Sequence, residues 1–127
     1  MKKGLLLPAG LLAAILAFCL WNSAAMTAHT ARWREQLAEA DRLAQAGDWE
    51  GTAAAIRACY DSWSARQTYL HIVTSHDAVD GAEAMYHRAL AFAESHEDSE
   101  LRAELADLRD QLRLLAEMEE FSVKNVL

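Results

Sequence analysis

Residues 5–21 read LLLPAGLLAAILAFCLW, seventeen positions without a charge, with Lys2 and Lys3 just before them. The charge-free interval extends from Gly4 to Ala28. A bilayer span needs about 20 mainly apolar residues, so a transmembrane helix is the first expectation. Pro8 falls in its opening turns, where the missing N–H has no helical acceptor to lose. Trp21 would lie at headgroup depth, with Asn22, Ser23 and Thr27 at or beyond the far interface. Lys2 and Lys3 favour a cytoplasmic N-terminus, a bias that Arg32 and Arg34 past the span weaken. The expected topology is a single pass through the cell membrane, N-terminus cytoplasmic and C-terminal part extracytoplasmic.

Two other readings of the same stretch stay open. Ser23-Ala24-Ala25 supplies the small residues that a signal peptidase needs, and a cut after Ala25 would release a secreted soluble helical protein. Lipid attachment at Cys19 is disfavoured by Phe18, a bulky aromatic where a small residue is required. The uncleaved anchor is preferred because Ala24–Ala46 holds no helix breaker, which lets the span run straight into the domain. The boundaries are then 1–25 for the basic start and anchor and 26–127 for one extracytoplasmic helical domain.

Of the 12 Lys and Arg only Lys2 and Lys3 precede Ala28, whereas all 19 Asp and Glu come after it. The exported part thus has 10 basic against 19 acidic residues, a net charge of −9. That balance argues against nucleic acid as a partner and against adhesion to anionic lipid. Cys19 and Cys59 lie on different sides of the anchor boundary and form no disulfide framework, so the domain must rest on apolar packing. The only proline is in the anchor and no stretch alternates with a strand period, while Ala, Leu, Glu and Arg abound. The fold class is all-α.

Trp33, Leu37, Ala40 and Ala44 recur at helical spacing and place a first domain helix over about Met26–Ala46. Gly47 suits the left-handed position that ends it, and Asp48 caps the next helix. That helix carries Trp49, Ala53, Ile56, Tyr60 and Trp63, and either continues to about Val73 or kinks near Ser62–Ser64. A joint at Thr74–Asp77, capped by Ser75 or Asp77, leads to a third helix over about Ala78–Ser95. Its apolar face is read as Ala82, Met85, Ala89 and Phe92, bordered by Val79, Tyr86 and Ala93. After His96-Glu97-Asp98, with Asp98 as cap, comes the clearest pattern of the chain: Leu101, Leu105, Leu108, Leu112 and Leu115, a heptad seam. The tail from Phe121 to Leu127 is apolar and is expected to fold back onto the bundle. The whole predicts a small antiparallel four-helix bundle continuous with the N-terminal transmembrane helix.

These residues resemble a family of short bacterial proteins, found mainly in Firmicutes, known as domain of unknown function 4363. The likeness spans nearly the full length. It runs from the Lys2-Lys3 apolar start through Gly47-Asp48-Trp49, Trp63 and His76-Asp77 to the Leu101–Leu115 helix and Phe121-Ser122-Val123…Asn125-Val126-Leu127. It implies a membrane-anchored helical domain without assigned activity. Ala46-Gly47-Asp48-Trp49 is also similar to a tetratricopeptide turn. The next hairpin turn, at His96, comes about 50 residues later rather than one repeat of about 34, so shared hairpin physics suffices.

For a metal or ligand the candidates are His71, His76, Asp77 and Asp80, which a compact joint would bring together. The competing reading makes His76 and Asp77 helix-end residues bonded to free backbone groups. Trp33, Trp49 and Trp63 would line a groove or, as their positions on the stripes favour, fill the core. Cys59 reads as a buried small hydrophobe rather than a reactive thiol. Carboxylate pairs such as Glu119-Glu120 and Glu97-Asp98 read as solvated charge on exposed faces. No nucleophile elbow and no phosphate-cradling glycine loop is present, so neither an enzyme nor a cofactor is expected. The expectation is a non-enzymatic membrane-tethered module, held in the bilayer through residues 4–25. It would bind another membrane or envelope protein, or a second copy of itself. An extracytoplasmic ligand or metal binder is the alternative.

Overall fold

A computed structural model describes residues Lys2–Val126. Met1, Leu127 at the end of the apolar tail, and the side chains of Lys2 and Val126 lie outside the described part. Five helices make up that part: α1 (Lys2–Gln45), α2 (Trp49–Ser64), α3 (Gln67–Val73), α4 (His76–Glu94) and α5 (Asp98–Val126). The all-α reading holds, and α1 passes through Ala25–Met26 without interruption.

The N-terminal half of α1 is long and apolar enough to cross a membrane and is not buried by the rest of the chain. From Met26 onward the same helix turns a stripe inward: Met26, Trp33, Leu37, Ala40 and Ala44 are buried. α2 and α5 pack on this half of α1, and α4 packs on both of them, so four long helices close a ring. Cross-helix pairs fix the directions. Trp33 Nε1 donates to Ser62 Oγ (2.9 Å), Arg88 meets Glu104 and Arg102 meets Asp41, and each neighbour is antiparallel.

The turns at the end far from the apolar segment share one construction. Gly47 has φ +79°, its N–H bonds to the carbonyl of Ala44, and the Asp48 N–H bonds to that of Leu43. His96 has φ +57°, with His96 bonded to Ala93 and Glu97 to Phe92 in the same pattern. Both satisfy the free carbonyls of a helix end with a left-handed residue. The Asp48 carboxylate accepts from the Gly51 N–H at 2.9 Å, capping α2 as expected. α5 begins at Asp98 itself, so the backbone cap falls on Glu97 and Asp98 is a first-turn acid. Ser75 holds the cap position of α4, without a side-chain hydrogen bond.

One open alternative is decided and two expectations, the inward face of α4 and the course of the tail, are corrected. The second helix breaks just past Ser62–Ser64, the second of the two readings: the Arg66 N–H turns back to the Trp63 carbonyl and α3 starts afresh at Gln67. In the last turn of α2 the Ser64 hydroxyl bonds back to the Asp61 carbonyl, a local contact that competes with continuing the helix. The inward face of α4 is Val79, Ala82, Tyr86, Ala89 and Ala93, with Met85 and Phe92 at its edge. The tail does not fold back. It continues α5, and the leucine seam runs on through Glu119 and Val123, both buried.

Candidate functional site

The Thr74-Ser75 turn sets the end of α3 against the start of α4 and brings part of the sequence-named cluster together. The rings of His71 and His76 stand 4.4 Å apart, tilted by 43°. His71 Nε2 lies 3.9 Å from Asp80 Oδ1, an ion-pair distance only when the imidazole is protonated and too long for a hydrogen bond. The Nδ1 of His71 is buried without a partner. Asp77 is exposed in the first turn of α4, where its charge favours the helix dipole. Among the described residues no three His, Cys, Asp or Glu side chains converge as a metal-holding group.

A second constellation lies at the same end of the bundle and contradicts the reading of Glu119 as solvated. Glu119 is fully buried. Its carboxylate accepts from Tyr69 Oη at 2.7 Å and from Ser23 Oγ at 3.2 Å, joining α3, α5 and the apolar helix. Burial, and then the bond to Glu119, push the Tyr69 phenol well above its ordinary range and keep it a donor. Sequence spacing could have found this residue, since Glu119 lies four positions past Leu115 and extends the seam. Beside it a cavity of about 310 Å³ is walled by Phe18, Cys19, Asn22, Tyr69, Ile72 and Val123. A groove of about 370 Å³ runs between the α3–α4 turn and the Leu114–Phe121 side of α5.

The remaining sequence candidates are accounted for by packing. Trp33 and Trp63 are buried in the core, and Trp49 is half-buried with its ring stacked on His96 (5.1 Å, 7° apart). His29 stacks on Trp33, one helical turn away, and His87 leans on Tyr60. Burial lowers the pKa of His29, with help from Arg66 and Arg32. Both cysteines are free. Cys59 is fully buried, its Sγ 3.3 Å from Tyr86 Oη and 3.5 Å from the Trp33 carbonyl, and burial pushes its thiol up to about 11. A thiol held protonated in that setting is structural.

What the site offers is a buried, hydrogen-bonded carboxylate beneath an apolar recess, all of it level with the base of the apolar helix. No curated protein and no solved structure matches the chain. The model of the family described as Domain of unknown function (DUF4363) matches residues 20–126, and the chain belongs to that family.

Proposed function

We propose that the protein is a non-enzymatic, membrane-tethered helical module, N-terminus in the cytoplasm and bundle outside, that binds another protein of the membrane or envelope. The observation that carries this reading is the single helix α1, which holds both the unburied apolar segment and one wall of the bundle core. A bundle so mounted is rigidly positioned with respect to the bilayer, as a docking element must be. The uncleaved form is supported by Ser23 and Phe18, which lie before the small-residue cut site yet contribute to the Glu119 network and the cavity wall. Removing them would strip a donor from a buried carboxylate.

The test starts with fractionation and intact mass. Full-length chain in an alkali-resistant membrane pellet supports the anchor, whereas a soluble chain beginning at Met26 overturns it. Crosslinking in native membranes then reads the partner, and adducts containing only monomer of this chain would remove the protein-binding reading. A second reading, a metal or small ligand at His71, His76, Asp77 and Asp80, draws on the approach of His71 to His76 and Asp80. Full metal content and affinity in a His76→Ala variant would eliminate it.

A further inference from the structure

The part of α1 that stands clear of the bundle does not span a bilayer by itself. Gly4–Ala17 stands clear of the bundle, and its roughly 14 residues span ~21 Å at the helical rise, against a hydrocarbon core of ~30 Å. The next turns, Phe18–Ser23, must supply the difference. Those turns are already flanked by protein: Cys19 and Asn22 share the cavity wall with Ile72 and Val123. The antiparallel pairs Ser23–Glu119 and Asp41–Arg102 set the register of α1 against α5, and they place Phe121 level with Trp21. The base of the bundle therefore stands at membrane depth.

Its outer surface suits that solvent. Among the described residues outside α1 the exposed large hydrophobics are Ile72 (77 %) and Phe121 (66 %) at this end and Leu114 about two turns further along α5. Phe18 and Trp21 of α1 are exposed at the same level. Three polar side chains there turn inward and are paired, Tyr69 and Ser23 on Glu119 and Ser122 Oγ on the Val73 carbonyl, whereas Glu117, Glu120, Lys124 and Asn125 on the outer side of α5 are exposed and His71 Nδ1 on α3 is buried without a partner. Internal pairing of this kind is what a medium without water demands. Lys124 pairs with Glu120 at 3.4 Å, and its stem is long enough to carry the ammonium back toward the headgroups.

We propose that the base of the bundle, α3 and the last turns of α5, is seated in the leaflet from which α1 emerges, with Ile72 and Phe121 among the acyl chains. The proposal rests on the anchor reading and adds to it a lipid-facing surface on the domain itself. Such seating fixes the tilt of the bundle and places the cavity walled by Cys19 and Tyr69 within the leaflet rather than in water.

The experiment uses full-length protein with Cys19→Ser, reconstituted in phosphatidylcholine vesicles at high lipid-to-protein ratio. A nitroxide is placed in turn at Leu11→Cys, Ile72→Cys, Phe121→Cys and Asp107→Cys. Collision with dissolved oxygen is compared with collision with a water-soluble nickel chelate. The expected result is a several-fold higher oxygen-to-chelate ratio at 72 and 121 than at 107. A ratio at 72 and 121 equal to that at 107, with 11 still lipid-exposed, overturns this proposal and leaves the anchor intact. Chelate access at 11 as well overturns the anchor reading. Spin–spin broadening at 72 and 121 assigns the surface to a second copy and overturns the lipid assignment.

Discussion

At the scale of single residues, two buried polar groups set the sharpest expectations. Glu119 extends the leucine seam with a carboxylate whose two partners come from different helices. Glu119→Ala leaves the half-buried Tyr69 hydroxyl without its acceptor and should destabilise the full-length protein in detergent by about 1–3 kcal/mol. Glu119→Gln keeps a carbonyl acceptor and should cost clearly less. Equal losses for the two variants in denaturant titrations would show that volume, and not the hydrogen bonds, is what the site needs. Cys59 sits between the Trp33 carbonyl and the Tyr86 hydroxyl with its thiol pushed up to about 11. Alkylation at mildly alkaline pH should therefore spare Cys59 in the native chain and reach it only on unfolding. Peptide mapping checks this, and native-state modification at the rate of a free thiol would refute the burial.

At the scale of helices, α2 and α4 are joined by a hydrogen bond from Tyr60 Oη to Glu83 Oε1 (2.7 Å), supported by Gln67 Nε2. The bond to Tyr60, then the one to Gln67, lowers the pKa of Glu83, and the same contact raises that of Tyr60. A depressed carboxyl contributes stability above its unfolded value of 4.5 and loses it as pH falls through the folded value. A raised phenol contributes below its unfolded value of 10.0 and loses it as pH rises through the folded value. The stability gap between the native chain and a Tyr60→Phe variant should thus be widest between those limits and shrink on either side. A gap independent of pH in thermal melts from acid to alkaline buffer would sink this account. The exposed pairs, such as Arg57–Glu94 and Arg42 with Glu35 and Glu39, are not expected to matter comparably.

At the scale of the whole molecule, the apolar helix is part of the fold. A chain beginning at Met26 loses the Ser23 donor to Glu119 and the Phe18, Cys19 and Asn22 side of the cavity. It should melt at a lower temperature than the full chain in the same detergent. Identical midpoints would mean that residues 18–23 contribute nothing to the bundle. The closed ring of four antiparallel helices explains why so small a domain manages without a disulfide. Each helix buries its stripe against two neighbours, and the seam from Leu101 to Leu115 lies entirely in the interior.

Much of this architecture was legible in the chain. Gly47 and Asp48 announce their turn because only a few residue types suit a left-handed position or a free N–H, and both act locally. The leucine heptad and the charge-free start are likewise read from spacing and composition. His96 was harder, since it occupies the left-handed position that glycine fills in the other turn, with its ring stacked on Trp49 across the gap. The sequence by itself determined that the chain is helical, where most helices end, and that one segment suits a bilayer. Those properties depend on contacts three or four residues apart and on bulk apolarity. Only the tertiary structure decided how far each helix is rotated, and hence that Val79 and Tyr86 face inward ahead of Met85 and Phe92. It also decided that Glu119, and not Glu120, is buried. A rotation of one residue leaves local periodicity almost unchanged, and the neighbours across the bundle select between such rotations.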